Sequence, residues 1–548
     1  MSISQNFPTI SPSLDLSFAL TKKLDPRITF SRPTTGAYYD GRTVSKAEEN
    51  LLDYSQEFSN SVWVKRAGGF QYNTTTAPDG TTTATLMYAT TSGTFKDFYY
   101  NVAIGSASIR TTSIYAKAAG KSWLWTVNTS GSNAGVWFDL SNGVVGTVEA
   151  GCTASITSVG NGWYRCVVVY PSTTNASQWG VSDANNTSSV TANSTDGIFI
   201  WGAQLEQRST VTAYTPTTTQ PITNYIPVLL TAPNNVARFD HNPTSQESLG
   251  LLIEEQRTNL LTYSEDFSNV AWNKNAVTVE SNVLIAPDAT LTSDKIVSTT
   301  ANSLHAIQAY IASQAAPWTF TVYAKAGEYD RILLSPNVTG SVVSFNLTSG
   351  TIERASGGAI TSTSITHVGN DVYRCSCTST TTATGTIFWV MPYNANASAV
   401  TAIPTWTGDG YSGIYIWGAQ LEAGAFPTSY VKTVASQVTR SADSQSGVNL
   451  GQIGQGTFYV DATVRSGNAL ITSGNTTFSA TASTRQKTTV AYNATDTRKS
   501  INSGTVTSTA GTQGGANITF VSGATGYINK IALYPQKLSD TNLQALTS

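Results

Sequence analysis

The phrase GIFIWGAQLE occupies residues 197–206, and GIYIWGAQLE occupies residues 413–422. The two differ by one Phe/Tyr exchange and lie 216 positions apart. Such an echo marks either a site used twice or a fold built twice, and the flanking sequence decides between them. ENLLDYSQEFSNSVW (49–63) is answered by TNLLTYSEDFSNVAW (258–272), and APDGTTTATLM (77–87) by APDATLTSDKI (286–296). SIYAKAAG (113–120) is answered by TVYAKAGE (321–328), and FDLSNGVVG (138–146) by FNLTSGTIE (345–353). VGNGWYRC (159–166) is answered by VGNDVYRC (368–375), and TAYTP (212–216) by TSYVK (428–432). The offset is 209 between Trp63 and Trp272, 208 between Tyr115 and Tyr323, and 209 between Tyr164 and Tyr373. Anchors that keep their order with so little drift mark a tandem domain duplication. At about 210 residues the unit is far longer than solenoid repeats of roughly 20–50.

Within each unit, short stretches rich in β-branched and aromatic residues, such as CVVVYP (166–171), FTVYAKA (320–326) and GTIFWVM (385–391), alternate with Ser/Thr/Asn/Gly clusters. Helical periodicity is nearly absent. This predicts an all-β chain with tandem duplicated antiparallel β-sandwich (jelly-roll) domains at 46–220 and, with a linker, at 221–439. Residues 1–45 precede them as a separate segment. SKAE after Ser45 reads as a capping box and predicts a short helix. Residues 440–548 have no counterpart in the duplication. GTFYVDATV, KTTVAYN, ANITFV and YINKIALYP predict a third, independent sandwich. It closes with a helix capped by Ser539 or Asp540, with Leu543 and Leu546 turned inward.

Composition narrows the function classes. The 548 residues suit three or four domains. The chain is 40% hydrophobic but only 12% charged, about half the usual ~25%. Its surface is therefore held in water by hydroxyls and amides. A net charge of −2 without a Lys/Arg block argues against nucleic acid or an anionic membrane as partner. The N-terminus lacks the basic start and apolar run of a signal peptide, and no stretch reaches 18 apolar residues. Synthesis in a cytoplasm is the expectation. Four cysteines are too few for a disulfide framework. Cys166 and Cys375 fall in matching YRC triplets and read as small buried hydrophobes, Cys375 and Cys377 share a strand face, and pairing of Cys152 with Cys166 stays open. His241, His305 and His367 have no metal-ligand spacing, so no cofactor is expected. Asp409 in TGDGYSG reads as a turn, with a Ca²⁺ ligand as the weaker alternative.

The echoed phrase has its own chemistry. Strict alternation puts Phe199, Trp201, Ala203 and Leu205 on one side and Ile198, Ile200, Gly202 and Gln204 on the other. A functional reading makes Trp201 a sugar platform and Glu206 (Glu422 in the second copy) a ligand or acid. The structural reading makes the Trp a core anchor and Gly-Ala a point of close approach. Glycoside hydrolysis uses two facing carboxylates, whereas Asp79, Asp288, Glu57 and Glu265 sit in turn-like or capping contexts, and Asp139 is Asn346 in the other copy. No nucleophile–base motif stands out; a non-enzymatic protein is expected. Trp63, Trp272, Trp201 and Trp417 occur in both copies and are assigned to structural core. Trp123, Trp125, Trp137, Trp163 and Trp179, and in the second copy Trp318, Trp389 and Trp406, have no Trp counterpart. Of these, Trp123, Trp125, Trp137, Trp163, Trp179 and Trp406 are the candidates for stacking on sugar rings, against the alternative that they fill each core differently.

NNVARFDHNPTSQESLGLLIEEQRTNLLTYSEDFSNVAW (234–272), with the later YAKAG, VGNDVYRC and IYIWGAQLEAGAFPTSYV, resembles a module of tailed-phage fibre and spike proteins with carbohydrate-binding-module-like jelly rolls. LDLSFALTKKLDPRITFSRPTTGAYYDGRT (14–43) resembles the segment that opens such proteins. GYINKIALYPQKLSDTNLQAL is similar to the end of concanavalin/laminin-G-like sandwiches. The resemblance implies a virion structural protein that attaches to other virion proteins through residues 1–45, forms a homotrimer and binds host-surface polysaccharide. A capsid-decorating head fibre and a polysaccharide depolymerase are the alternatives. The first copy departs from the pattern in YDGRTVSKAEENLL and EQRSTVTAYTP, so its docking role is expected to differ.

Overall fold

The structure is a computed structural model, which describes residues 7–548 except 101–106, 128–134, 174–177, 315–316, 336–340, 358, 381–382, 394–402, 450–453, 467–468, 474–475, 480–483, 511–517 and 522. The chain is all-β and antiparallel, with two short helices among the described residues. No helix there is long and apolar enough to cross a membrane.

Each copy consists of two six-stranded sheets, and their strand orders coincide. In the first copy one sheet runs Trp63–Arg66, Asp97–Tyr100, Gln178–Ser182, Trp123–Val127, Gly135–Asp139, Val144–Val148. The other runs Gly68–Thr75, Ala84–Ala89, Gly197–Glu206, Ser108–Ala119, Tyr164–Thr173, Thr153–Ser158. The second copy repeats both orders, with Gly413–Ala423 in the place of Gly197–Glu206. Phe98, Leu124, Val136, Phe138 and Trp179 from one sheet meet Ile114, Cys166, Val168, Ile198 and Ile200 from the other to form the first core. Ile307, Phe345 and Phe388 meet Phe320, Cys375 and Ile414 in the second. The Asp139/Asn346 exchange is explained by the turn both residues make. Asp139 accepts from the Ser141 N–H at 2.9 Å, and Asn346 accepts from the Thr348 and Ser349 N–H groups at 2.9 Å.

Three expectations need correction. SKAE does not start a helix. It lies within strand Gly36–Asn50, which pairs with Ile222–Ala232, Ser45 opposite Ile226. Ten register pairs along this two-stranded ribbon, a hairpin in shape only because the whole first copy lies between its strands, and the burial of Ala47, Glu49 and Asn50 outweigh one local cap, as tertiary contacts commonly do. The stretch 1–45 does not stand apart; from Leu14 onward it is woven into the body, while residues 1–6 lie outside the described residues. The C-terminal sandwich is not an independent unit of 440–548. Strand Thr525–Tyr534 is flanked on one side by Gly456–Ser466 and on the other by Ser248–Ile253 and Leu14–Leu16, end to end. Without those borrowed strands it would offer an open apolar edge, which proteins avoid. Leu14, Leu16, Phe18, Leu251 and Ile253 accordingly share a core with Phe458, Val460 and Ile531. The closing helix Asp540–Leu546 is capped by the Ser539 hydroxyl, which accepts from the Asn542 N–H, and buries Leu543.

The cysteines are free. Cys166 lies opposite Ile156 in the strand ladder, four residues from Cys152, a separation of about 13 Å at ~3.3 Å per residue that no disulfide spans.

One buried group distinguishes the copies. Asp294 stands where the first copy has Thr85. It accepts from the N–H groups of Phe267 and Asn282, both at 2.9 Å, yet burial pushes its pKa up to about 6 from 3.8. The folded state therefore holds this proton more tightly than the unfolded chain. Stability is highest below the unfolded value, falls as pH rises towards about 6, and is flat above. With about 1.4 kcal/mol per pK unit, the fall is of order 3 kcal/mol. Denaturant midpoints of wild type and Asp294→Asn between about pH 4 and 7 check this: the stability of wild type relative to the variant should fall by that amount towards neutral pH.

Candidate functional site

The echoed strand is not alternating throughout. Tyr115 pairs with Trp201 but Ser113 pairs with Gln204, so one extra residue is accommodated at Gly202, whose φ is +60°. Gly418 repeats this, at φ +63°. A Cβ at Gly202 would sit 3.1 Å from the Tyr115 ring and 3.2 Å from that of Tyr214. Glycine supplies both the left-handed backbone and the close approach of rings. The bulge shifts the phase: Ile198, Ile200, Ala203 and Leu205 face the inter-sheet core, while Phe199 and Trp201 belong to a separate cluster on the outer face. Trp201 and Trp417 are thus buried, but against the back of the sheet. Trp63 and Trp272 lie in the inter-sheet cores.

That outer face is built identically in both copies. Trp201 packs between Tyr115 and Tyr214, with ring centroids at 5.3 and 4.9 Å; Trp417 packs between Tyr323 and Tyr430 at 5.2 and 4.6 Å. Each indole N–H donates to a threonine hydroxyl, Thr83 or Thr292, at 3.1 Å. Arg165 and Arg374 stack over Tyr115 and Tyr323 at 5.4 and 5.6 Å and donate to the carbonyls of Thr212 and Thr428. Glu206 and Glu422 are buried and accept from the hydroxyls of Thr212 and Thr428 at 2.5 and 2.6 Å. Burial raises the pKa of Glu206. These carboxylates tether the chain that returns over the sheet; neither is a ligand or acid in a cleft.

What covers this face differs between copies. In the second, the hairpin packs Ala37, Ile226 and Leu229 against Tyr323, Trp417 and Tyr430, splitting the groove into cavities of about 410 and 420 Å³. In the first, the second copy itself forms the opposite wall, leaving a cleft of about 610 Å³. Its floor is Tyr115, Arg165, Trp201 and Tyr214; its wall includes Glu280, Lys295, Glu328, Tyr411 and Tyr415. The Lys295 ammonium lies 4.4 Å from the centre of the Tyr411 ring and 2.9 Å from Glu328. Lys325 of the second copy pairs with Glu48 of the hairpin at 2.7 Å. Burial raises the pKa of both wall tyrosines, so their hydroxyls are protonated donors. Aromatic rings, tyrosine hydroxyls and neutralised charges in one cleft make a lining chemically suited to a polyhydroxylated ligand.

The tryptophans selected from sequence as sugar platforms do not form this site. Trp125, Trp137, Trp163 and Trp179 are between 2% and 8% exposed, so no ring face is free for stacking. Trp125 and Trp137 are cross-strand neighbours on the back of the first sheet, where their N–H groups donate to Val181 and Thr187 carbonyls. Trp179 lies in the core, and Trp163 donates to the Thr76 carbonyl beside Trp201. Trp123 and Trp406 are half-buried, on faces other than the cleft; Trp406 packs against His305 at a tilt and against Tyr393 edge-on. The unshared tryptophans fill the back of one sheet or the core. The residues that sequence reasoning missed are tyrosines, and the signal was the Phe199/Tyr415 exchange inside the echo. Lys295 likewise stands opposite Leu86, and Glu328 opposite Gly120.

Asp79 and Asp288 hold turns, accepting from Thr81 and Thr290. Asp409 does the same, its carboxylate accepting from the N–H groups of Tyr411 and Ser412 at 2.9 and 2.7 Å. Among the described residues no group of three His, Cys, Asp or Glu side chains is placed to hold a metal. No protein-family model matches the chain, and a search of curated proteins finds no match.

Proposed function

We propose that this chain is a non-enzymatic structural protein of a phage virion, a tail fibre or spike, which binds host-surface glycan in the cleft between its two copies. The observation that carries the glycan reading is the half-buried Tyr214 of the first copy lining one cleft with the half-buried Tyr411 and Tyr415 of the second and Lys295, while Trp201 and Tyr115 are buried behind Tyr214 and hold it in place. Sugar rings offer apolar faces to aromatic side chains and hydroxyls to polar ones, and a cleft of this size holds a short oligosaccharide. The virion context, attachment to other virion proteins and trimeric assembly rest on the sequence resemblance.

Tyr415→Phe restores the first copy's residue and removes one hydroxyl. It is expected to weaken binding of host polysaccharide roughly 3–10-fold, the worth of one hydrogen bond of about 1 kcal/mol. Tyr411→Ala removes the ring over which the Lys295 ammonium lies, and a loss of at least about tenfold is expected. Calorimetry on both variants checks this; unchanged affinity in both rules the cleft out. Particles that carry the protein while it binds no polysaccharide would favour the head-fibre alternative.

Glu280 and Glu328 both line the cleft, which favours the depolymerase as a second reading, since paired carboxylates flank the bond in glycoside hydrolysis. Glu328 is engaged by Lys295 and the Gly413 N–H, a positioning role rather than that of a free acid. Release of reducing ends from host polysaccharide, abolished in Glu280→Gln, would establish hydrolysis.

A further inference from the structure

We propose a second ligand site, for an acidic saccharide, in the cavity where the hairpin, the second copy and the C-terminal sheet meet. It does not depend on the inter-copy cleft. Three distant stretches of chain build it. Tyr39 comes from the hairpin, Arg374 from the second copy, and Arg465 and Tyr527 from the C-terminal sheet. The volume of about 410 Å³ falls within the range of sites for small ligands.

One wall is a row of hydroxyls. Ser362, Ser364 and Thr366 occupy every second position of the edge strand Ile360–His367 and line the cavity together. The Ser364 hydroxyl bonds that of Ser376 at 2.6 Å; the first copy has Val167 at the latter position. The charges are arranged for an anion. Both carboxylates of the lining are already engaged. Asp240 accepts from the Tyr39 N–H at 2.8 Å and the Tyr527 O–H at 3.0 Å. Glu254 accepts from the Ser429 N–H at 2.7 Å and pairs with Arg238 at 2.7 Å. Arg465 stacks over Tyr527 at 5.2 Å and forms no ion pair among the described residues. Arg374 lies over Tyr323 with its Nε unmatched by an acceptor. A planar guanidinium with free N–H groups is suited to a carboxylate.

Two further polar atoms point to a ligand. The Tyr39 hydroxyl and His241 Nε2 have no hydrogen-bond partner in the protein, although the residues are only 9% and 2% exposed and both line the cavity. Buried polar atoms are seldom left without partners, and a saccharide's hydroxyls both donate and accept.

The test is calorimetry of the full-length protein with a tetrasaccharide of alternating glucuronate and N-acetylglucosamine, with neutral maltotetraose and inorganic phosphate as comparisons. The acidic tetrasaccharide should bind at least about tenfold tighter than the neutral one and weaken several-fold between about 50 and 300 mM salt. Arg465→Gln should cost about tenfold, the loss of a charge-assisted pair, and Tyr39→Phe roughly threefold. Tyr415→Phe, in the inter-copy cleft, should leave this binding unchanged. Thermal melts of the variants confirm that they fold. Equal binding of the neutral sugar, undiminished binding in Arg465→Gln, or displacement by phosphate at equal concentration overturns the proposal. Loss in Tyr415→Phe with retention in Arg465→Gln also overturns it, assigning the binding to the inter-copy cleft and leaving that reading intact.

Discussion

Replacing Asp443 with alanine is expected to destabilise the protein by about 3–5 kcal/mol, the cost of leaving buried charges without their partner. Asp443 accepts from Arg32 at 3.0 Å and from Arg238 at 2.6 Å, and both guanidinium side chains are 0% exposed. The same carboxylate accepts from the Glu254 N–H at 2.9 Å, and Glu254 pairs with Arg238. Against the burial that would raise it, Arg440 and Arg238 hold the Glu254 carboxyl well below its ordinary range. Four residues from three distant stretches are thereby tied together, and the alanine variant strands Arg32 while leaving Arg238 with Glu254 alone. Asp443→Asn keeps the shape but not the charge, and should lose nearly as much. Asp15→Asn is the control. Its pair with Lys530 has 41% and 35% of the side chains exposed, and such pairs contribute about 0–1 kcal/mol. Denaturant midpoints separate the two classes: a shift for Asp443→Ala no larger than for Asp15→Asn would refute the role of the junction.

Trp201→Ala is expected to cost about 3–5 kcal/mol, the usual toll of removing a buried indole, and to weaken binding in the inter-copy cleft by releasing the Tyr214 ring that packs on it. Its ring is 1% exposed and its N–H and both ring neighbours are engaged. Trp417→Ala should cost as much stability, because the environment is the same residue for residue. Its effect on binding should appear in the divided groove of the second copy instead. Trp123→Ala, at a half-buried position, should stay within about 1–2 kcal/mol and leave binding intact. Thermal melts and polysaccharide titration of the three variants together distinguish a floor from a platform. Binding lost in Trp123→Ala but kept in Trp201→Ala would return the site to the tryptophan row.

The duplication shows how far one chain can be read without its fold. Two copies are two solutions of the same packing problem, so residues held in both report what the sandwich needs. Trp63, Trp272, Cys166, Cys375 and the Asp139/Asn346 turn are all legible that way. The comparison misleads where it treats every unshared residue as surface. Trp125 and Trp179 are unshared because the two interiors are filled differently, and volume can be made up from other side chains. Alternation misleads at Gly202, where one inserted residue reverses the faces of everything after it. The glycine was visible, but its φ was not.

Local pattern also sets strands and turns, because alternating side chains and Asx turns act over a few residues: the individual strands of each copy, the Ser539 cap and the inward Leu543 follow from it. It does not set which strands meet. Leu14–Leu16 and Ser248–Ile253 complete an edge more than 270 residues away, and SKAE becomes strand because Ile222–Ala232 lies beside it. The sequence by itself determined the duplication, the all-β class and the core of each copy, since these depend on composition and period. Only the tertiary structure decided that the second copy closes a cleft over the first and that the hairpin divides the matching groove. Those surfaces are joined by long-range burial, and Tyr415 acquires its place in the cleft from a neighbour more than 200 residues earlier.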